Sequence, residues 1–425
     1  MSFRRETLLA LLDTAIAAAD PAHCLPPHLP PPPVGRLIVL AAGKGAGKMS
    51  ATAAAHYAAE GLPPGKLIGL AVTRHGHGMP AGNLPVIEAG HPVPDAAGLG
   101  ATQSALALAA GAGADDLVLV LLSGGGSANW IAPAEGIDLA AKQRLTRALL
   151  AAGATIDEFN CVRRHLSAVK GGRLAAAAAP APILTLAISD VPGDRPETIA
   201  SGPTVPDPTT LADARAILKR YRIRESVAER ALADPANETP KPGDSIFDRS
   251  EFRIIARPAD AIRAAAAAAE ARGIRPVILG DALEGEAWRM GADQARRALA
   301  FSGPPTVFLS GGEATVTVRG EGRGGPNQEF VLGAAIAADG AEGISIAAAD
   351  TDGIDGGTGA RTDPAGAIAD GRTFARAVAA GLDPVAILTD NDSTRLFATL
   401  GDLIFTGPTL TNINDFRAIL RDDRN

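Results

Sequence analysis

The segment RLIVLAAGKGAGKMSATAAAHYAAEG, residues 36–61, constrains the fold more than any other. An apolar run over 37–41 reads as a buried strand, the glycines as a tight turn, and the alanine-rich remainder as a helix. The same sequence of events recurs along the chain. KLIGLAVT, DDLVLVLLSGGGSANW, PILTLAISDVPGD, PTVFLSGGEATVTV and GISIAAADTDGIDGG each carry a strand that runs into a glycine-rich or acidic loop. Alanine-rich stretches between them, such as 259–272 and 366–380, read as helices. Strands that alternate with helices predict α/β architecture: two three-layer α/β/α domains with mostly parallel sheets. A polar, proline-containing stretch at 233–248 reads as a linker or exposed loop, which divides the chain into domains 1–238 and 239–425.

The 425 residues suffice for two such domains, and 46% hydrophobic content supplies their cores. Aromatic residues are only 4%, so small aliphatic side chains must do the filling. A net charge of −7 argues against a general nucleic-acid binder. Two cysteines, Cys24 and Cys161, offer no disulfide framework and fit a reduced, cytoplasmic setting. The first twenty residues read as an amphipathic helix, because Glu6 and Asp13 interrupt any signal-peptide pattern. The longest weakly polar stretch, Leu174 to Ile188, is broken by Pro180 and Pro182, and no membrane partner is expected.

In open parallel sheets ligands bind beyond the carboxyl ends of strands, so the loops there are the candidate site. Ser123, Gly124, Gly125, Gly126 and Ser127 follow a strongly apolar strand, where glycines let successive N–H groups face one anion. Lys44 lies inside the Gly43–Gly45 turn, placed to meet phosphate oxygens; Lys48 is already in the helical segment. This loop is neither a P-loop nor a dinucleotide fingerprint. Ala42 occupies the first glycine position of one, and Lys48 the last glycine position of the other. Carboxylates at strand ends, among them Asp190, Asp194, Glu313, Asp350, Asp352 and Asp355, suit magnesium and proton acceptance in phosphoryl transfer. Asp355 also fits a plain turn or capping role. The run Arg163, Arg164, His165, Lys170, Arg173 offers an arginine fork for a carboxylate or phosphate, with Arg163, Lys170 and Arg173 on one helical face. A solvated face explains that run equally well. His75, His77 and His91 lack metal spacing and suit a loop that lines a cleft.

Together the loops resemble a known family. GKGAGKM, VTRHGHG with EAGHPVPDAAG, LLSGGGSA, NCVRRHLSAVKGGRLA, ISDVPGD with SGPT, LSGGEATVTVRGEGRGGPNQEF, AADTDGIDG and TGPTLTNINDF are similar to the successive signatures of the glycerate 2-kinase family. Its C-terminal part is the domain named for a multi-organism fragment rich in leucine (MOFRL). The ordered set spans about 37–416. The resemblance implies two α/β domains with an interdomain active-site cleft. It implies ATP-dependent phosphorylation of D-glycerate at the 2-hydroxyl, with Mg2+, and hence D-glycerate and ATP as partners. A homodimer is an admissible assembly. Lys44 and Asp190 fall on catalytic positions. Asp190, Glu313 and Asp352 are the metal candidates. Arg164, Lys170, Gly311, Gly312, Glu313, Asn327 and Gln328 join the SGGGS loop as substrate or nucleotide contacts. Where the family often has arginine before N-Q-E, this chain has Pro326, and Arg319, Arg323 or the Arg163–Arg173 run would substitute. Some members bear the name hydroxypyruvate reductase, which makes an NAD(P)H-dependent reductase the alternative.

Overall fold

The structure is a computed structural model that describes residues 3–422. It contains two compact units. One is Cys24–Ile255; the other joins the residues up to His23 to those from Ala256 onward.

The Cys24–Ile255 unit is built on β1 (Leu37–Ala42), β2 (Leu67–Arg74), β3 (Val86–Ala89), β4 (Leu117–Leu122), β5 (Ile183–Ile188) and β6 (Ser250–Ala256), in spatial order β3-β2-β1-β4-β5-β6. The pairs β1–β2, β1–β4, β2–β3 and β4–β5 are all parallel, as expected. β1 and β5 are buried at every residue, which explains their unbroken apolar sequence. Ile38, Leu40, Val118 and Val120 pack with alanines of the helices Ala96–Ala110 and Arg173–Ala178. Leu37, Val39, Leu119 and Leu121 are equally buried. The helix Ala46–Ala59 contacts β1, β2 and β4. A second, all-helical core joins Leu145, Phe159, Leu211 and Leu232. The compositional break at 233–248 lies within this unit and is tied to it: Glu238 bonds His165 and the Leu211 N–H, and Asn237 bonds the Ala231 carbonyl.

The other unit contains β7 (Arg275–Gly280), β8 (Gly285–Glu286), β9 (Thr306–Gly312), β10 (Ala314–Thr315), β11 (Ile344–Asp350), β12 (Gly366–Asp370), β13 (Leu403–Ile404) and β14 (Asp415–Arg421). Its main sheet runs β13-β12-β11-β14-β9-β7. Here the expectation of a mostly parallel sheet fails. Only β7–β9 is parallel; β9–β14, β14–β11, β11–β12 and β12–β13 are antiparallel. No helix separates β11 from β12, so the crossover that parallel pairing demands is missing. The alanine-rich stretch 366–380 divides accordingly: 366–370 is β12, and the helix is only Thr373–Ala379. Alanine tolerates either state, and pairing with β11 decides. The helix Phe3–Ala18 buries Leu8, Leu11 and Leu12 and packs on the helix Pro258–Glu270. Among the described residues no single helix is long and apolar enough to cross a membrane.

At the amino ends of β1 and β4, Asp116 accepts from the Arg36 N–H at 2.6 Å, the Arg36 guanidinium at 2.6 Å and the Gly113 N–H at 2.9 Å. The Arg36 hydrogen bond, ahead of the opposing effect of burial, holds the carboxyl down to about 2. A depressed carboxyl pKa stabilises the fold above the unfolded value, and that stability is lost as pH falls from about 4 toward 2. We expect Asp116→Asn to cost about 2 kcal/mol at pH 7. The deficit should shrink toward pH 2 in denaturant titrations; a pH-independent deficit would refute this account.

Candidate functional site

In the Cys24–Ile255 sheet the strand order reverses at β1, since the chain moves outward through β2 and β3 and returns through β4 and β5. The carboxyl ends of β1 and β4 are therefore the switch point, where open α/β sheets bind ligands. The Gly43-Lys44-Gly45 loop and the SGGGS loop occupy that point.

The two loops are joined through backbone. Lys44 N–H donates to the Gly124 carbonyl at 2.8 Å, and Gly45 N–H donates to Ser123 Oγ at 2.8 Å. Gly43 N–H donates to the Val72 carbonyl at 3.0 Å. The contact explains the first glycine: at φ +119° a Cβ on Gly43 would lie 2.4 Å from the Ser123 carbonyl oxygen. All three N–H groups of this loop are thus spent within the protein. A pyrophosphate cradle of the dinucleotide type needs them free.

In SGGGS the balance differs. Ser123 N–H donates to Ala42 and Gly126 N–H to Ser123. The Gly124 and Gly125 N–H groups have no acceptor among the described residues. Gly125 has φ +84°, and a Cβ there would lie 3.0 Å from His91 Cδ2 and 3.5 Å from Lys44 Cγ. The Lys44 stem and the His91 ring therefore flank the open amides. His91 was legible in the sequence only as part of a cleft-lining loop.

The segment after β5 closes on the same edge. Ala200 and Ser201 carry φ of +50° and +61°, a strained left-handed pair without glycine. Ser201 Oγ meets Ser127 Oγ at 2.7 Å, and Ala200 would lie 3.1 Å from a Cβ on Gly126. Asp190, two residues beyond β5, is half-buried beyond the same sheet edge as SGGGS.

The basic run is not one helical face. The helix Ile156–His165 ends before Lys170, and Gly171 and Gly172, at φ +58° and +82°, precede the helix that starts at Arg173. Arg164 is 4% exposed; its Nε lies 3.3 Å from the buried Asp207, and it bonds the Glu197 carbonyl. Lys170 is fully buried and donates to the Ser127 and Trp130 carbonyls at 2.9 and 2.8 Å. Burial pushes its pKa well down. Both side chains are thus turned inward, and Lys170 positions the end of the SGGGS turn.

In the second unit the register places Gly312 opposite Asp415, and Asp415 opposite Asp350. An acidic edge results. Glu313 is exposed; Asp352 is buried and accepts from the Ile354 N–H. The Gly311 and Gly312 carbonyls both accept from Arg417, which also pairs with Asp415. Asn327 and Gln328 open the helix Pro326–Ala337, with Pro326 at its first position, where a missing N–H costs nothing. Their backbone N–H groups both donate to the Asp355 carboxylate at 2.9 Å, so Asp355 caps this helix from a distance. Burial pushes the Asp355 carboxyl up to about 7, against the pull of those N–H groups. Asn327 Nδ2 reaches Asp415 Oδ1 at 2.6 Å, while its buried Oδ1 has no partner among the described residues. Gln328 is held by Asp355 and Thr394. Asp415 and Arg417 were not singled out from sequence. Only pairing between β14 and two distant strands brings them to this edge.

Asp190 lies in one unit, and Glu313 and Asp352 in the other. Among the described residues no three His, Cys, Asp or Glu side chains gather as a metal cage.

The SGGGS analysis has a direct consequence. Lys170→Met should leave two buried carbonyls without a donor, at about 1–3 kcal/mol. It should lower the unfolding temperature and turnover together; an unchanged melting curve would show that Lys170 does not hold the loop.

Comparison with known proteins places the chain. Residues 7–233 match the model of a domain of unknown function (DUF4147), and 306–415 match the MOFRL family. A protein of Agrobacterium vitis that carries the provisional name hydroxypyruvate reductase is 49% identical, over 98% of this chain and 94% of that one. D-glycerate 2-kinase of Thermotoga maritima is 39% identical, over 97% of each. A crystal structure of glycerate kinase from Thermotoga maritima superposes with a TM-score of 0.87 at 38% identity, covering 98% of this chain and 99% of that one. On these grounds the chain belongs to the glycerate 2-kinase family.

Proposed function

We propose that the protein is a glycerate 2-kinase that transfers the γ-phosphoryl group of ATP to the 2-hydroxyl of D-glycerate, giving 2-phospho-D-glycerate and ADP. The single observation that carries this reading is the agreement of sequence and fold with a glycerate kinase over nearly the full chain. The loop geometry supports it. The two open amides of Gly124 and Gly125, with Lys44 beside them, form a positive lining for an anion at the switch point.

In this mechanism the Lys44 ammonium neutralises charge that builds on the transferring phosphoryl oxygens. The Gly124 and Gly125 N–H groups orient an anionic group, either the substrate carboxylate or a phosphate. Asp190 accepts the proton of the attacking hydroxyl as its oxygen bonds to phosphorus and the bond to ADP breaks, or it binds the metal instead. Magnesium would screen the phosphate charge; Asp190, where it is not the base, would hold it in the Cys24–Ile255 unit, and Glu313 and Asp352 are the second unit's own candidates for that role. The reaction belongs to the cytoplasm, where thiols such as Cys24 and Cys161 stay reduced.

The alternative, an NAD(P)H-dependent hydroxypyruvate reductase, draws on the dinucleotide-type strand order and on the name of the Agrobacterium relative. Against it stand the spent amides of the Gly43–Gly45 loop, and β2 ends in Arg74 rather than the acid that holds an NAD ribose. One experiment separates the two. ADP release with D-glycerate is measured beside NADH and NADPH loss with hydroxypyruvate, and the phosphorylated product is identified as the 2- or 3-isomer. We expect glycerate-dependent ADP and the 2-isomer. Reduced-nicotinamide turnover without glycerate-dependent ADP would sink the kinase. In the kinase assay Lys44→Ala should lower kcat by 100-fold or more, about 3 kcal/mol, with an unchanged melting temperature. Wild-type turnover in that variant would remove Lys44 from the chemistry.

A further inference from the structure

The second unit holds a cavity of about 370 Å3 along the helix Pro326–Ala337, within the size range of small-molecule sites. Its walls are apolar, from Trp288, Ile336 and Leu388. Its polar lining mixes two carboxylates, Glu286 and Glu329, with two arginines and neutral groups. Glu329 is 2% exposed. One of its oxygens, Oε1, accepts from Asn391 Nδ2 at 2.7 Å; Oε2 accepts no hydrogen bond from any described residue. Oε2 keeps access to the cavity that Glu329 lines, where a ligand N–H can meet it. Arg296 and Arg319, both exposed, supply positive charge among the same lining residues.

Those features describe one ligand chemistry: a flat, largely apolar body with an N–H donor, joined to an anionic tail. A nucleotide with an amino-bearing base has that form. The placement agrees. Asn327 and Gln328 belong to the acidic sheet edge, and Glu329, the next residue of the same helix, belongs to the cavity. Thr317 lines the cavity four residues after Glu313, so about 14 Å of extended chain at most separates the two.

We propose that this cavity binds the base of the phosphoryl donor. Glu329 Oε2 accepts from the exocyclic amino group, Trp288, Ile336 and Leu388 cover the ring, and Arg319 and Arg296 meet the phosphate tail. The assignment rests on the kinase reading for the identity of the donor, but not for the existence of the site.

The test uses the full chain and two variants. Glu329→Gln keeps the shape and can keep the Asn391 hydrogen bond, but it turns an amide N–H toward the base. Leu388→Trp fills the cavity from a half-exposed position. Binding of ADP and of the 6-unsubstituted purine riboside diphosphate is measured by calorimetry, and KM values for ATP and D-glycerate by ADP release. Thermal melts confirm folding. The wild type should prefer ADP to the unsubstituted analogue by at least tenfold, and Glu329→Gln should abolish that preference. Leu388→Trp should raise the ATP KM at least tenfold and leave the D-glycerate KM unchanged. Folded variants with unaltered nucleotide affinity and preference would overturn the proposal while leaving the kinase reading intact. ADP binding that follows these rules in an enzyme without glycerate-dependent turnover would do the reverse.

Discussion

Parallel pairing of β1 with both of its neighbours is the constraint on which the Cys24–Ile255 unit depends. A strand bonded in parallel on both edges cannot be entered or left by a hairpin, so its connections must cross a face of the sheet. With β2 on one side and β4 on the other, the two connections leave the carboxyl ends in opposite directions along the sheet. The glycine loops at those ends bond to each other. Three consecutive amides are consumed there so that two others, at Gly124 and Gly125, stay open. The open amides of this edge thus lie in the loop that follows β4, not in the one that looks most like a phosphate loop.

The second unit reaches a comparable edge by other means. β14 enters between β9 and β11 against their direction and carries Asp415 to their ends. Asp355 then ties the helix Pro326–Ala337 to this edge by accepting its first free N–H groups. An acidic residue is well placed there, since the amino end of a helix carries partial positive charge. Asn327 and Gln328 owe their burial to the same contact, so their amide groups organise the edge from beneath.

The sequence made some of this legible and hid the rest, for physical reasons. Unbroken apolar runs that end in glycine announce a strand buried on both faces, which is why β1, β4, β5, β9 and β11 could be read directly. Strand direction carries no such mark, and only connection geometry makes β12 and β14 antiparallel. The alanine-rich β12 was read as helix because alanine does not discriminate. The glycine and acid loops were singled out because the chemistry of anions calls for those residue types. What sequence could not show was which polar groups were already taken. Arg164 and Lys170 read as ligand cations, yet their partners are Asp207 and main-chain carbonyls. Asp415 and Arg417 were overlooked because nothing local sets them apart.

Two glycines give the second unit a property of its own. A Cβ on Gly291 would lie 2.0 Å from the Phe330 carbonyl, and one on Gly333 would lie 2.1 Å from the Trp288 carbonyl. The helices Ala287–Leu299 and Pro326–Ala337 therefore touch backbone to backbone, with no side chain between them to act as a cushion. Such a contact has little compliance, because rotamers can yield and peptide planes cannot. Trp288 and Glu329 are held by opposite partners of this rigid joint. The slot they line is set when the chain folds, and its selectivity is that of a fixed gauge rather than of a closing hand.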